Sequence, residues 1–285
     1  MITAESDRKS LEIGKRDMNE LQKKTFEMLQ IFVGICEKWN IPYYLVCGSA
    51  LGAVKYGGFI PWDDDIDVGL LRKDYQKFLE VAPKELPEWC FLQNYCTDPA
   101  FPHTFSKLRN SGTTFIETGV AALLMNHGIY LDVFPIDGHP VRPLDKLFFE
   151  VIQKWNDWIR FIPVDNALPK VRLRNRVLRF LGLHKREYNA KVNLEKLYSA
   201  YPPEKSEFWC NYGNWQGELE YAPKSQYGNG AWATFEGLRV RIPEDFDGYL
   251  TQKYGDWRSD PPASQQKSHH TGVVIDTERS YQDYL

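Results

Sequence analysis

Four of the five residues from Asp63 to Asp67 are aspartates, and only Ile66 interrupts them. Ionising so many neighbouring carboxylates in a partly buried place is costly unless a cation faces them. The residues that follow narrow how the chain can place them. Asp65 and Asp67 alternate with Ile66, Val68 and Leu70, and side chains two apart on a strand share a face. The alternation predicts a strand over Asp65–Leu71, with Asp65 and Asp67 together on one side and Ile66 and Val68 packed behind. Their Cα atoms would lie about 7 Å apart.

Shortly before this cluster stands Gly48-Ser49-Ala50-Leu51-Gly52. It reads as a small-residue turn into a short helix, Ala50 to Tyr56, with Ser49 as the cap. Backbone N–H groups at such a helix start attract anions. The carboxylate oxygens suit Mg²⁺ or Mn²⁺ rather than Zn²⁺, and two such ions would clamp phosphates for in-line displacement. A third carboxylate is supplied by Asp132, which stands alone in the apolar run from Gly128 to Phe134, where an unpaired charge is expensive. Asp137, beyond Pro135, is expected in a loop and is the weaker candidate. Lys107 and Arg109 alternate across Leu108 on a predicted strand, Phe105–Arg109, and could neutralise a pyrophosphate. Asp65, Asp67 and Asp132 are therefore the candidate catalytic and metal residues, and Gly48, Ser49, Lys107 and Arg109 the candidate phosphate- and nucleotide-binding ones. The plainer readings are an aspartate cluster that caps turns and a basic pair on an exposed strand face.

The rest of the chain frames this site. Its 285 residues allow one or two domains, and a net charge of −3 argues against a nucleic-acid binder. Five cysteines with no C-x-x-C pair suggest a reduced, cytoplasmic protein. Neither a secretory leader nor a run of about 18 apolar residues is apparent. Helical spacing covers Asp17–Trp39 and Lys73–Val81. Short strands are expected at Tyr43–Cys47, Phe91–Tyr95 and Thr113–Glu117. From Pro143 to Tyr201 the texture becomes helical; a hairpin, Ala231–Phe235 and Leu238–Ile242 across Glu236-Gly237, and a helix, Glu244–Tyr254, follow. This divides the chain into a catalytic core at 17–142, a helical insert at 143–201, and a C-terminal part at 202–285 that completes the core and the acceptor side.

The run from Gly48 through Lys55-Tyr56-Gly57-Gly58-Phe59-Ile60-Pro61-Trp62 to Asp67 resembles the signature of the LicD family, which includes bacterial phosphocholine transferases and is related to fukutin and fukutin-related protein. Leu131-Asp132-Val133-Phe134-Pro135-Ile136-Asp137 and the stretch from Tyr249-Leu250 to Tyr254-Gly255-Asp256-Trp257 resemble it too. The resemblance implies a mixed α/β (α+β) nucleotidyltransferase-like fold, a mixed sheet flanked by helices. It implies transfer of a phospho-alcohol, phosphocholine foremost, from a CDP-alcohol donor to a sugar hydroxyl of a glycan or lipid-linked glycan, with release of CMP. Teichoic acid, lipopolysaccharide and capsule are the expected acceptor classes. The family's metal aspartates fall on Asp65, Asp67 and, by position, Asp132.

Two features bear on the substrates. Tyr44, Trp62 and Trp215 are candidate alcohol or acceptor contacts, since a quaternary ammonium suits an aromatic cage; core packing is the plainer reading of each. Residues 170–186 carry Lys170, Arg172, Arg174, Arg176, Arg179, Lys185 and Arg186 among apolar residues. This is either a solvated helix face or an amphipathic patch resting on an anionic membrane, which would seat the protein on the inner face of the cytoplasmic membrane. Ribitol or glycerol phosphate transfer, nucleotidyl transfer from an NTP, and non-catalytic glycan binding are the alternatives.

Overall fold

Apolar residues at helical spacing form α1 (Glu20–Lys38), which buries Met28, Leu29, Phe32, Val33 and Cys36. Asn19 caps it. Its side chain accepts from the Gln22 N–H at 2.8 Å, and the Gln22 side chain accepts from the Asn19 N–H at 3.0 Å, which satisfies two amides of the helix start. The computed structural model describes residues 17–160, 169–214, 217–268 and 272–285; Trp215, His269 and His270 lie outside the described residues, as do the side chains of Lys170 and Arg172.

After α1 come β1 (Tyr44–Leu45), α2 (Cys47–Lys55), β2 (Asp67–Leu71), α3 (Arg72–Val81), β3 (Cys90–Gln93), β4 (Ser106–Asn110), β5 (Thr114–Glu117) and β6 (Ile129–Gly138). Three helices follow, α4 (Pro143–Arg160), α5 (Pro169–Phe180) and α6 (Glu187–Ser199). The chain then forms β7 (Phe208–Cys210), β8 (Tyr221–Pro223), α7 (Lys224–Tyr227), β9 (Ala231–Phe235), β10 (Leu238–Ile242), α8 (Phe246–Tyr254) and β11 (Gly272–Asp276). The architecture is the expected mixed α/β one. The main sheet has the order β1-β2-β6-β4-β3, and β7 and β8 extend it from the end of β6. Among the described residues only the β2–β6 pair is parallel; every other pair of this sheet is antiparallel.

Strand alternation sorts this sheet into two faces. Val68 and Leu70 of β2, Leu108 of β4, and Leu131 and Val133 of β6 join Met28, Leu29 and Phe32 of α1 in one core. The residues between them, Asp67, Lys107 and Asp132, point away from α1. Phe134 and Ile136 continue that second face and pack with Val46, Ala50, Phe105, Tyr227, Tyr249 and Leu250 in another core. A third cluster, Phe149, Leu194, Tyr198, Cys210 and Tyr212, joins α4 and α6 to β7.

Four local expectations change. The strand carrying the aspartates starts at Asp67 rather than Asp65, so Asp65 lies in the preceding loop and does not share a strand face with Asp67. The glycine-serine helix starts at Cys47, not Ala50, with Val46 at the cap position; Ser49 lies inside its first turn and caps nothing. Asp137 lies within β6 rather than in a loop. Strands β7, β8 and β11 occupy stretches with no expected element, and β11 pairs with β5. The hairpin β9–β10 forms as expected, Phe235 facing Leu238 across Glu236 and Gly237.

Candidate active site

Three adjacent strands put a charged side chain at one level of the sheet. Asp67 of β2 is the register partner of Asp132 of β6, and Asp132 is the register partner of Lys107 of β4. Neighbouring strands lie about 4.8 Å apart, so the carboxylate, carboxylate and ammonium form a short row. Lys107 Nζ is 3.1 Å from Asp132 Oδ1 and 3.7 Å from Glu117 Oε2. It also sits 3.3 Å from the centre of the Tyr130 ring. Burial pushes the Asp132 carboxyl up; the Lys107 ammonium opposes this, and the Glu117 and Asp65 carboxylates push it further up.

The aspartate loop is held from outside. Gln22 Nε2 donates to the Asp63 carbonyl at 2.7 Å, and Ser268 Oγ to Asp64 Oδ1 at 3.0 Å. Gly52 lets α2 approach the loop's start: a Cβ there would lie 2.4 Å from the Gly58 carbonyl oxygen. At the other end of the same helix, a Cβ on Gly48 would lie 3.0 Å from Asp63 Oδ2. The Asp63 carboxylate therefore faces the first turn of α2, where the helix dipole favours negative charge.

That first turn is tied to the aspartates by Ser49. Its hydroxyl accepts the Asp67 N–H at 2.8 Å, which fixes where β2 begins. The N–H groups of Gly48 and Ser49 fall in the turn that has no intrahelical acceptors. Helix α8 backs it. The Tyr249 hydroxyl accepts the Cys47 N–H at 3.1 Å, and Lys253, buried, pairs with buried Glu220. The Tyr254 hydroxyl is pushed up by burial, then by Cys47, Asp67, Glu220 and Asp63, which places it among the same charges.

Asp67, Asp132, Lys107, Gly48 and Ser49 thus come together, with Asp65 in the adjoining loop. Arg109 stands one pleat further along β4 and is fully buried. Its Nε donates to Gln93 Oε1 at 2.7 Å and its NH1 to the Gly128 carbonyl at 2.7 Å. Tyr44 is buried with its hydroxyl donating to the Gly228 carbonyl at 2.8 Å. Trp62 packs edge-on against Tyr56, 6.2 Å between ring centres. Asp137 takes a paired hydrogen bond from Arg72, 2.8 and 2.6 Å. Glu117, Lys253 and Tyr254 were not singled out by sequence reasoning. The last two fall within the Tyr249–Trp257 stretch, whose pattern was the available signal; Glu117, at the end of an ordinary strand, offers none.

Among the described residues no three His, Cys, Asp or Glu side chains are gathered as a finished metal cage. The donor chemistry nonetheless fits a hard divalent cation. Every acidic group around the row offers carboxylate oxygen; burial first, and then the Glu117 and Asp65 carboxylates, push Asp132 toward its neutral form, against the Lys107 ammonium.

Residues 40–137, which hold α2, the aspartate loop, β2 and Asp132, match the nucleotidyltransferase domain shared by LicD, FKTN and FKRP. Over this span the chain is similar to the LicD family. Lipopolysaccharide cholinephosphotransferase LicD of Haemophilus influenzae is 29% identical over 273 residues, covering 90% of this chain and 97% of that protein. Human ribitol 5-phosphate transferase FKRP is 42% identical over 148 residues, 48% of this chain and 30% of that protein. Mouse ribitol-5-phosphate transferase FKTN is 29% identical over 69 residues, 24% of this chain and 15% of that protein. Similarity to LicD thus extends through α4–α6 and the C-terminal elements, beyond the shared domain. No helix among the described residues is long and apolar enough to cross a membrane.

Proposed function

We propose that this chain is a LicD-family phosphotransferase that moves a phospho-alcohol, phosphocholine foremost, from a CDP-alcohol to a sugar hydroxyl of a cell-surface glycan precursor such as lipopolysaccharide, teichoic acid or capsule. The observation that carries this reading is the row Asp67–Asp132–Lys107 set beside the first turn of α2. The choice of phosphocholine rests on similarity over nearly the whole length of a cholinephosphotransferase. Ribitol phosphate is the second reading, because the higher identity within a shorter span is to a ribitol 5-phosphate transferase.

In this reading the Gly48 and Ser49 N–H groups and the Lys107 ammonium hold the donor's pyrophosphate. Asp65, Asp67 and Asp132 would hold Mg²⁺ or Mn²⁺, and the metal would supply charge neutralisation on the phosphates. The sugar hydroxyl oxygen forms a bond to the phosphorus bearing the alcohol, the pyrophosphate P–O bond breaks, and CMP leaves. One of these aspartates, Asp132 foremost, receives the hydroxyl proton or orients the hydroxyl. Arg109 supports the row from behind through Glu117, 3.7 Å away.

A thermal-shift panel tests the reading. CDP-choline, CDP-ribitol, CDP-glycerol and CTP are compared with Mg²⁺ and with a chelator. A native-state ligand at about 100 times its Kd adds about 2.7 kcal/mol, a shift that is readily measured. The largest metal-dependent shift is expected with CDP-choline, followed by release of CMP on adding acceptor. A CTP shift with pyrophosphate release would replace this reading with nucleotidyl transfer.

A further inference from the structure

Helix α4 uses one flank to pack Phe149 and Ile159 inside the protein. A second flank is left bare. Leu144, Leu147, Phe148, Val151, Ile152 and Trp155 are all exposed large apolar residues, and their spacing makes one continuous stripe. Helix α5 repeats the pattern. Leu178 is buried, whereas Leu173, Val177, Phe180 and Leu181 are exposed at positions i, i+4, i+7 and i+8; Phe180 is 89% exposed. Such a concentration of apolar surface marks a contact.

Charge identifies the partner. Residues 169–186 contain seven Lys or Arg and no Asp or Glu, in a chain whose net charge is −3. Arg176, Arg179, Lys185 and Arg186 are exposed, and helical spacing sets Arg176 at one edge of the α5 stripe, with Arg179 further round the same side of the helix. On α4 the acidic residues are already matched: Asp145 pairs with Arg142, Glu150 with Lys154 and Asp157 with Arg160. The short turn Leu183–Arg186 packs against both α4 and α6, which ties the basic end of this segment to the helix with the other stripe. A second copy of the chain would meet this face poorly, because a two-fold interface brings a patch against itself and its cations against each other. A fully projecting phenylalanine also suits a soft layer better than a rigid groove.

We propose that α4 and α5 form a docking face for an anionic lipid bilayer. Phe180, Leu181 and the α4 stripe enter the headgroup–acyl boundary, and the arginines and lysines meet lipid phosphates. The proposal stands apart from the donor chemistry, since binding is measured with no nucleotide present.

Flotation of the full chain with vesicles tests it, comparing phosphatidylcholine alone with phosphatidylcholine plus phosphatidylglycerol. Binding is expected only to the anionic vesicles and should weaken with salt. Replacing Arg176, Arg179 and Lys185 together by Gln should cut partitioning by about a hundredfold, the weight of three basic side chains at an anionic surface. Phe180→Ser with Leu181→Ser should abolish stable flotation. All these residues are exposed, and circular dichroism checks each variant's fold; should one misfold, the other decides. Absence of flotation on anionic vesicles, flotation unaltered by both variants, or a dimer in sedimentation that Phe180→Ser dissolves while vesicles remain unbound would each overturn the proposal.

Discussion

Asp67 and Asp132 face the same way from adjacent strands because β2 and β6 run parallel and in register. The chain reaches this pairing by crossing over through α3, β3, β4 and β5 before β6 slots between β2 and β4. The partner of Asp67 on its sheet face is therefore distant in sequence, and Asp65, its close neighbour, approaches from the loop.

If this pair carries the chemistry, Asp67→Asn and Asp132→Asn should each lower CMP release by about 10²–10⁴-fold. The Asp132 variant has a second, opposite consequence. Its carboxyl is pushed up in the folded protein, so its favourable share of stability exists at low pH and is lost as pH rises through the folded value. At neutral pH a neutral amide removes that liability, and Lys107 keeps Glu117 at 3.7 Å. The thermal midpoint of Asp132→Asn at pH 7 should equal or exceed that of the parent, a gain in stability at the expense of activity. A fall of several degrees would mean that the row is a structural ion pair.

Ser49 has a positioning part. Removing its hydroxyl takes away the acceptor of the Asp67 N–H, a buried bond of 2.8 Å. Ser49→Ala should cost about 1–3 kcal/mol in urea unfolding and lower turnover, with a smaller effect on donor affinity. Ser49→Thr, which keeps the hydroxyl, should recover part of both. Equal loss in Ala and Thr would point to packing instead.

Arg72 and Asp137 form the contrasting pair. Both are buried, and two hydrogen bonds of 2.8 and 2.6 Å join them. Breaking one side leaves an uncompensated buried charge, so Arg72→Met should destabilise by about 3–5 kcal/mol. Activity per folded molecule, measured well below the melting range, should change little. A specific loss of turnover at full folding would move Asp137 from the scaffold to the site.

Much of this was legible in the sequence where local pattern and tertiary position agree. Asp132 inside an apolar run, Lys107 alternating with Leu108, and the Glu236-Gly237 hairpin all read correctly because a two-residue period fixes which face a side chain takes. The illegible parts depend on partners. Phe208–Cys210 and Tyr221–Pro223 are three-residue strands that exist because β6 runs on to Gly138 and offers an edge. The start of α2 at Cys47, where φ is +51°, is set by the Tyr249 hydroxyl from far along the chain. Arg109 looks like a ligand by spacing alone; only the carbonyl of Gly128 and the side chain of Gln93, brought by other strands, show where its donors go.

His139 should make the protein acid-labile. Its Nδ1 shares a 2.7 Å hydrogen bond with the Tyr212 hydroxyl, and its ring stacks on Tyr221 at 4.0 Å between centres. Burial, then Lys146, hold it down to about 4, with Glu150 opposing. The sign follows from linkage. Above the ordinary value of 6.5 the imidazole is neutral in both states and its full contribution is present. As pH falls below that value the unfolded chain takes up a proton that the folded chain refuses, so stability drops until the folded imidazole titrates near 4. The loss from this one group is on the order of 3 kcal/mol. His139→Gln keeps a polar partner for Tyr212 and removes the titration. Urea midpoints for the parent should fall more steeply than those of the variant across that window, and the two should run parallel above it. His103, held down to about 3 by burial and by Lys107, titrates over the same limb, so the variant's curve should flatten without becoming level. Parallel curves over the whole range would show that the His139 ring is charged as readily in the folded protein as in the unfolded chain.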